Sequence, residues 1–400
     1  MGLDRDPPVI RKGVHDSASA RATAFLHQRI AEALRSRMSS GVFAGGSKLP
    51  SLKEIAAEFD VSTMTVRRAI ATLEREGHIH RLPRVGVFMR PDGPGRRMNS
   101  ATLAFVATGL ESPFQMAVAN STQRTCQRHG GAILVLDGHL DAELEMSHIT
   151  RLPSSGVAGA VILPPFRHPK AVQALQHLNA TGFPMVVLDM TLPGVHADFV
   201  ASDHEAGAYR ATAHFLERGH SGVFFLTLTP YSSSVLARVQ GYERALLEYG
   251  KSPLPEWKVW IDLDEHVAGF ERGRKWWGSY KAILPVLKGR RLPLAVLAID
   301  AYAGWGVYEA CRELNLRIPE DVSVVAFDET EIAHTMRPPM TVVAQRCDEL
   351  GRSAVELLRR RLETGRVEAG PRKTLTQVVV DVDLIERESV ANLAKASATR

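Results

Sequence analysis

Cysteine is scarce in this chain. Cys126, Cys311 and Cys347 are the only three among 400 residues, far apart, with no CxxC pair and no clustered histidines. That argues against a disulfide framework and a structural zinc site, and the three read as buried apolar fillers in a cytoplasmic protein. Long apolar runs are missing as well. The longest, Val157 to Pro165, has the length of an interior strand, far below the ~20 residues of a membrane helix, so no membrane contact is expected. Met1 to Arg21 is polar, holds charges of both signs and lacks the apolar middle of a secretory signal. No strand-like run leads into GxGxxG; the nearest, Gly304-Trp305-Gly306, reaches Glu309 where the third glycine would stand. Walker, GxSxG and HExxH motifs are absent, so no catalytic residue, metal or cofactor is expected and the chain is not read as an enzyme.

What is present begins with length. The chain exceeds the roughly 250–300 residues at which one core stops growing, so two or more domains are expected. Hydrophobic residues make up 45% and charged residues 23%, a globular composition. Residues 1–98 hold 17 Lys+Arg against 10 Asp+Glu, whereas the remainder holds 32 against 34. The basic surplus is confined to the first quarter, as when one module meets a polyanion.

Within that quarter, apolar residues from Ala24 to Met38 recur at helical steps. Ser51-Leu52-Lys53-Glu54 has the form of a capping box opening a helix through Ile55, Ala56 and Phe59. Ser62 can cap a second helix whose buried stripe is Val66, Ala69, Ile70 and Leu73. Two short capped helices about three residues apart make a helix-turn-helix. Thr63, Met64, Thr65 and Arg67 are expected to face outward, where amides, hydroxyls and Arg suit phosphates and base edges. His78 to Leu82 and Val85 to Met89 alternate around Pro83-Arg84, a wing with Arg84 at its tip.

These residues carry a resemblance. Lys48-Leu49-Pro50-Ser51-Leu52-Lys53-Glu54-Ile55-Ala56, Val61 to Ala69 and Leu73 to Ile79 resemble, in order and spacing, the winged helix-turn-helix of GntR-type regulators over residues 23–92. The resemblance implies a recognition helix in the DNA major groove and a wing near the minor groove. It implies DNA contacts from Ser51, Lys53, Ser62, Thr63, Met64, Thr65, Arg67, Arg84 and Gly86. Thr63 stands where relatives often carry a base-reading Arg, and Arg84 replaces the first glycine of the wing.

Residues 93–100 have linker composition. Beyond them, strand-length apolar runs alternate with helix-length segments in two series, predicting doubly wound parallel sheets in two lobes with a cleft at the carboxyl ends of the strands. Asp198-Phe199-Val200-Ala201-Ser202-Asp203, His214 to His220, Arg238-Val239-Gln240-Gly241-Tyr242, Ile318 to Asp328 and Arg337 to Val343 resemble the sensor domain of LacI-type repressors across residues 101–388. That sensor has a periplasmic-binding-protein-like fold. The resemblance places Arg238 on an effector hydroxyl or carboxylate, Asp328 on effector hydroxyls, Asp300 beside them although Ile299 replaces the usual Asn, and Phe114 against an effector ring. Asp203 and Asp321 read as cap or turn residues, and residues 389–400 as a disordered tail. The expected whole is an α/β regulator: a homodimer that binds double-stranded operator DNA and a small sugar-like effector. A soluble solute-binding receptor without sequence-specific DNA binding is the alternative from another class.

Overall fold

The computed structural model describes residues 16–39, 43, 47–75, 78–82, 86–89, 101–165, 169–229, 232–363 and 375–394. They divide into two units, split between Arg97 and Met98.

The first unit contains α1 (Asp16–Ser39), α2 (Leu52–Glu58), α3 (Thr63–Arg75), β1 (Ile79–Leu82) and β2 (Gly86–Met89). Ser51 begins α2 through a complete capping box: its hydroxyl accepts from Glu54 N at 3.3 Å, and its own amide donates to Glu54 Oε2 at 2.6 Å. Val66, Ala69, Ile70 and Leu73 of α3 are fully buried against Ile30, Leu34 and Ile55. The wing strands pair antiparallel from Ile79↔Met89 to Leu82↔Gly86. Ser47 to Leu49, just before the capping box, lies along β2: Leu49 N donates to Val87 O and Met89 N to Ser47 O, both at 2.8 Å.

The second unit opens with β3 (Thr102–Ala107), α4 (Pro113–Arg128), β4 (Ala132–Asp137), α5 (Ala142–Arg151), β5 (Ala160–Ile162), α6 (Pro169–Ala180), β6 (Met185–Leu188) and β7 (Asp198–Ser202). It continues with α7 (His204–Glu217), β8 (Phe224–Leu228), α8 (Ser233–Glu248), β9 (Lys258–Ile261), α9 (Leu263–Glu271) and α10 (Trp277–Gly289). Then come β10 (Leu294–Ala298), α11 (Ala301–Leu314), β11 (Val322–Phe327), α12 (Glu331–Thr335) and β12 (Thr341–Gln345). α13 (Cys347–Glu363), β13 (Gln377–Val380) and β14 (Val382–Ile385) complete it.

These strands form two six-stranded sheets, ordered β13-β7-β6-β5-β3-β4 and β14-β12-β11-β10-β8-β9. All pairings are parallel except β12 with β14. Alternate residues of one strand reach different cores: Leu103 and Phe105 pack with Leu350 and Leu358 of α13, while Ala104 and Val106 pack with Ile149 and Leu175. Burial of both faces explains the continuous apolar strands.

Two sequential halves do not account for this topology. The chain crosses between the lobes three times, after β7, after β12 and between β13 and β14, and α13 packs on α4 in the first lobe. Residues 389–394, expected to belong to a disordered tail, are instead held against the second lobe. Ser389 is fully buried, donating to Val324 O at 2.5 Å and accepting from Thr341 N at 2.8 Å, and Leu393 N donates to Arg218 O at 2.8 Å. Of the cysteines, Cys126 and Cys311 are buried and Cys347 is only partly so. No helix among the described residues is long and apolar enough to cross a membrane.

Candidate functional site

On the first unit, α3 presents Thr63, Met64, Arg67 and Arg68 to solvent, with Met64 56% exposed. Lys53 and Ser51 are exposed on and before α2. Ser62 spends its hydroxyl locally: it accepts from Thr65 N at 3.2 Å and pairs with Thr65 Oγ1 at 2.9 Å. Thr65 departs from the outward position expected of it. It lies four residues before Ala69, on the edge of the buried stripe, and is 4% exposed. Gly86 has φ +145°, and a Cβ there would stand 2.6 Å from Lys48 Cε, so glycine is required by conformation. Arg84 and the linker at 93–100 lie outside the described residues.

The second site is a cavity of about 190 Å³ between the two lobes. Phe114, Arg238, Asp300 and Asp328 all line it, together with Asp189, Phe270, Tyr302, Thr330 and Gln345. Each comes from the carboxyl end of a strand or the helix that follows, where a doubly wound sheet leaves room for a ligand. Pro113 starts α4 and sets Phe114 in its first turn. Asp300 is the N-cap of α11, its Oδ1 accepting from Ala303 N at 2.7 Å. Asp203 caps α7 in the same way, and Asp321 is held by Arg317. Trp305 lies away from this cavity. Its ring packs 6.2 Å from that of Trp276, and it lines a separate groove with Tyr308 and Arg312.

Arg238 is 8% exposed. Nη1 donates to Ile299 O at 2.6 Å, Nε and Nη2 approach His204 Nδ1 at 3.3 Å, and the guanidinium lies 4.0 Å above the Phe327 ring. With Nδ1 facing Arg donors, it serves as acceptor and the ring proton belongs on Nε2, 3.0 Å from Asp189 Oδ1. Burial would raise the Asp189 carboxyl, but His204, Arg238 and the Ser234 hydroxyl outweigh it and hold the group below its usual range. Asp328 behaves oppositely. Burial pushes it up to about 6, against the pull of Arg238 and of Gln345, whose Nε2 donates to Oδ1 at 2.6 Å. Asp189 and Asp328 both have left-handed backbone, φ 68° and 75°, strain concentrated where the two carboxylates meet the cleft.

Asp189, His204 and Gln345 were not singled out in the sequence. His204 could have been found from its position after the Ala201-Ser202-Asp203 run. Asp189 and Gln345 had no local signal, because their partners are distant in sequence.

Comparison with known proteins agrees with both units. Residues 26–89 match the bacterial regulatory proteins of the gntR family, and residues 212–390 match the periplasmic binding protein-like domain. The HTH-type transcriptional repressor PurR of Edwardsiella ictaluri is 24% identical over 86% of this chain and 98% of its own length. The ribose operon repressor of Haemophilus influenzae is 26% identical over 86% of this chain and 100% of its own. Among solved structures, the transcriptional regulator CelR in complex with cellobiose superposes with TM-score 0.62 at 22% identity, covering 85% of this chain and 100% of that one. A LacI family transcriptional regulator from Enterococcus faecium with bound ribose gives TM-score 0.59 at 22% identity, covering 73% and 99%. This chain therefore joins a GntR-type helix-turn-helix domain to a periplasmic-binding-protein-like domain, and its homologues are LacI-family transcriptional repressors.

Proposed function

We propose that the chain is a ligand-responsive repressor of a carbohydrate-utilisation operon, acting as a cytoplasmic homodimer on two operator half-sites. The observation that carries this reading is the convergence of Phe114, Arg238, Asp300 and Asp328 on one interlobe cavity, in a chain whose basic first unit exposes Thr63, Met64 and Arg67 on a capped helix. The free amides of the first turn of α3 and its Arg side chains supply phosphate and base-edge contacts. A small sugar-like effector in the cavity favours one arrangement of the lobes and thereby changes operator affinity. Coupling of roughly 1–3 kcal/mol suffices, and operator must change effector affinity by the same factor.

The test is a mobility-shift assay with fragments of the source genome, with and without candidate monosaccharides. Specific retardation should fall steeply with salt, as phosphate contacts release counterions. Arg67→Ala should weaken it by about 1–3 kcal/mol, the worth of one base contact. No shift above competitor DNA would return the chain to the class of solute receptors. Equal effector affinity with and without operator would remove the coupling.

A further inference from the structure

Thr63, Met64, Arg67, Arg68 and Ala71 of α3 are exposed, and helical geometry gathers them on one arc of about 140°. Thr63 and Met64 stand on either side of Arg67 at the N-terminal end of that arc. Met64 is 56% exposed, more than Leu26, the other large apolar residue the first unit leaves in water among the described residues. It lies between Arg67 and Arg68, in the quarter of the chain that holds 17 Lys+Arg against 10 Asp+Glu. The polar groups around it are withdrawn. Ser62 Oγ and Thr65 Oγ1 bond each other, Thr65 is buried, and Glu74 pairs with Arg81 at 2.9 Å. The arc holds no Asn or Gln, the side chains that read adenine by two bonds at once, and no carboxylate to accept from cytosine. What it offers a duplex is two guanidinium groups and, beside them, the methyl-bearing ends of Met64 and Thr63.

From this face, and resting on the proposed regulator reading, we infer that Met64 and Thr63 are specificity-determining residues that read the C5 methyl of thymine. Each operator half-site then carries a thymine in the major groove next to the group that Arg67 contacts. The C5 methyl is the apolar group that base pairs show in that groove. Packing Met64 against it takes apolar surface of both partners out of water, worth about fourfold in affinity for each methyl buried. The other three bases present donors and acceptors there, which a thioether and a methyl group would desolvate without pairing. Ala71, two turns beyond Thr63 and Met64, is too short to hold the helix off the groove floor.

The experiment uses the full chain and duplexes selected by it from a randomised double-stranded library. Each thymine of a selected half-site is replaced singly by deoxyuridine, which keeps the base pair and lacks only the C5 methyl. Wild type should bind roughly fourfold more weakly at one or two positions per half-site and unchanged at the rest. Met64→Ala should bind the thymine and deoxyuridine duplexes equally at one of those positions, whereas Met64→Leu, still apolar, should keep the preference. Arg67→Ala should bind both duplexes more weakly with their ratio retained. Absence of any position at which wild type prefers thymine overturns the inference, and so does a preference unchanged in both Met64→Ala and Thr63→Ser. In either case an enriched library leaves the regulator reading standing. A library that yields no enriched sequence removes the regulator reading, and this inference with it.

Discussion

Asp328→Asn should make the effector-free protein more stable at alkaline pH while weakening its effector site. Burial holds this carboxyl at about 6 in the folded chain against an ordinary value of 3.8. The folded value is raised, so the stabilisation is complete below pH 3.8 and is lost as pH rises through about 6. At pH 8 the ionised side chain therefore costs the folded state about 3 kcal/mol, the difference of the two values at 1.36 kcal/mol per pH unit. Asn removes that cost. It also fits the backbone, because Asn tolerates the left-handed φ of 75° better than most residues, and its carbonyl can still accept from Gln345 Nε2. Thermal unfolding of wild type and variant at pH 8 and at pH 4 is the assay. The variant should melt several degrees higher at pH 8, with the advantage vanishing toward pH 4. Effector affinity should fall by about 1.5–3 kcal/mol, the worth of a hydrogen bond to a charged group. A stability difference that is absent at pH 8, or identical at both pH values, would refute the placement of an ionisable carboxylate in a desolvated site.

The remaining predictions concern the neighbours. His204→Leu leaves the Arg238 nitrogens and Asp189 without their shared partner, so stability should drop by about 3–5 kcal/mol in thermal unfolding; His204→Asn, which restores an acceptor, should recover part of it, and equal losses in the two would argue against the acceptor role. Gln345→Met removes the donor to Asp328, so the ratio of operator affinities with and without effector should approach one; a ratio equal to wild type would dismiss Gln345 as a link. Gly86→Ala forces an L residue to φ +145°, a strain of about 1–3 kcal/mol, and should weaken operator retention while calorimetric effector affinity stays at its wild-type value.

Legibility in the sequence followed the range of the interaction. The capping box at Ser51 and Glu54 and the stripe from Val66 to Leu73 lie within a few residues, and spacing alone reveals them. Thr65 is in the first turn of α3, where side chains are expected to face out, but its four-residue step to Ala69 sets it on the edge of the buried stripe. The pairing of Lys48 with Phe88 spans forty positions and has no local pattern. The same holds in the cleft. Arg238 and Asp328 were reachable through resemblance, whereas Asp189, His204 and Gln345 gain meaning only from partners brought near by the fold. The three interlobe crossings were equally silent, since a strand buried on both faces reads alike in either sheet.

Those crossings bear on how occupancy of the cavity can reach the rest of the chain. His204 follows the first crossing and holds Arg238; Gln345 precedes the second and holds Asp328. At the third, Asp381 lies 2.9 Å from Arg210, and Asp383 accepts from Arg346, the residue after Gln345, at 2.8 and 2.7 Å. A lobe movement must turn these short segments, because each lobe's own core is packed on both sheet faces and resists deformation. The residues proposed to grip the effector are thus bonded to the segments that must turn. An effector that repositions Arg238 or Asp328 differs in its contacts between two hinge geometries, and that differential interaction is what a population shift requires. A ligand that touches only Phe270 and Tyr302 makes no such contact, so it could bind tightly and still leave operator affinity unchanged.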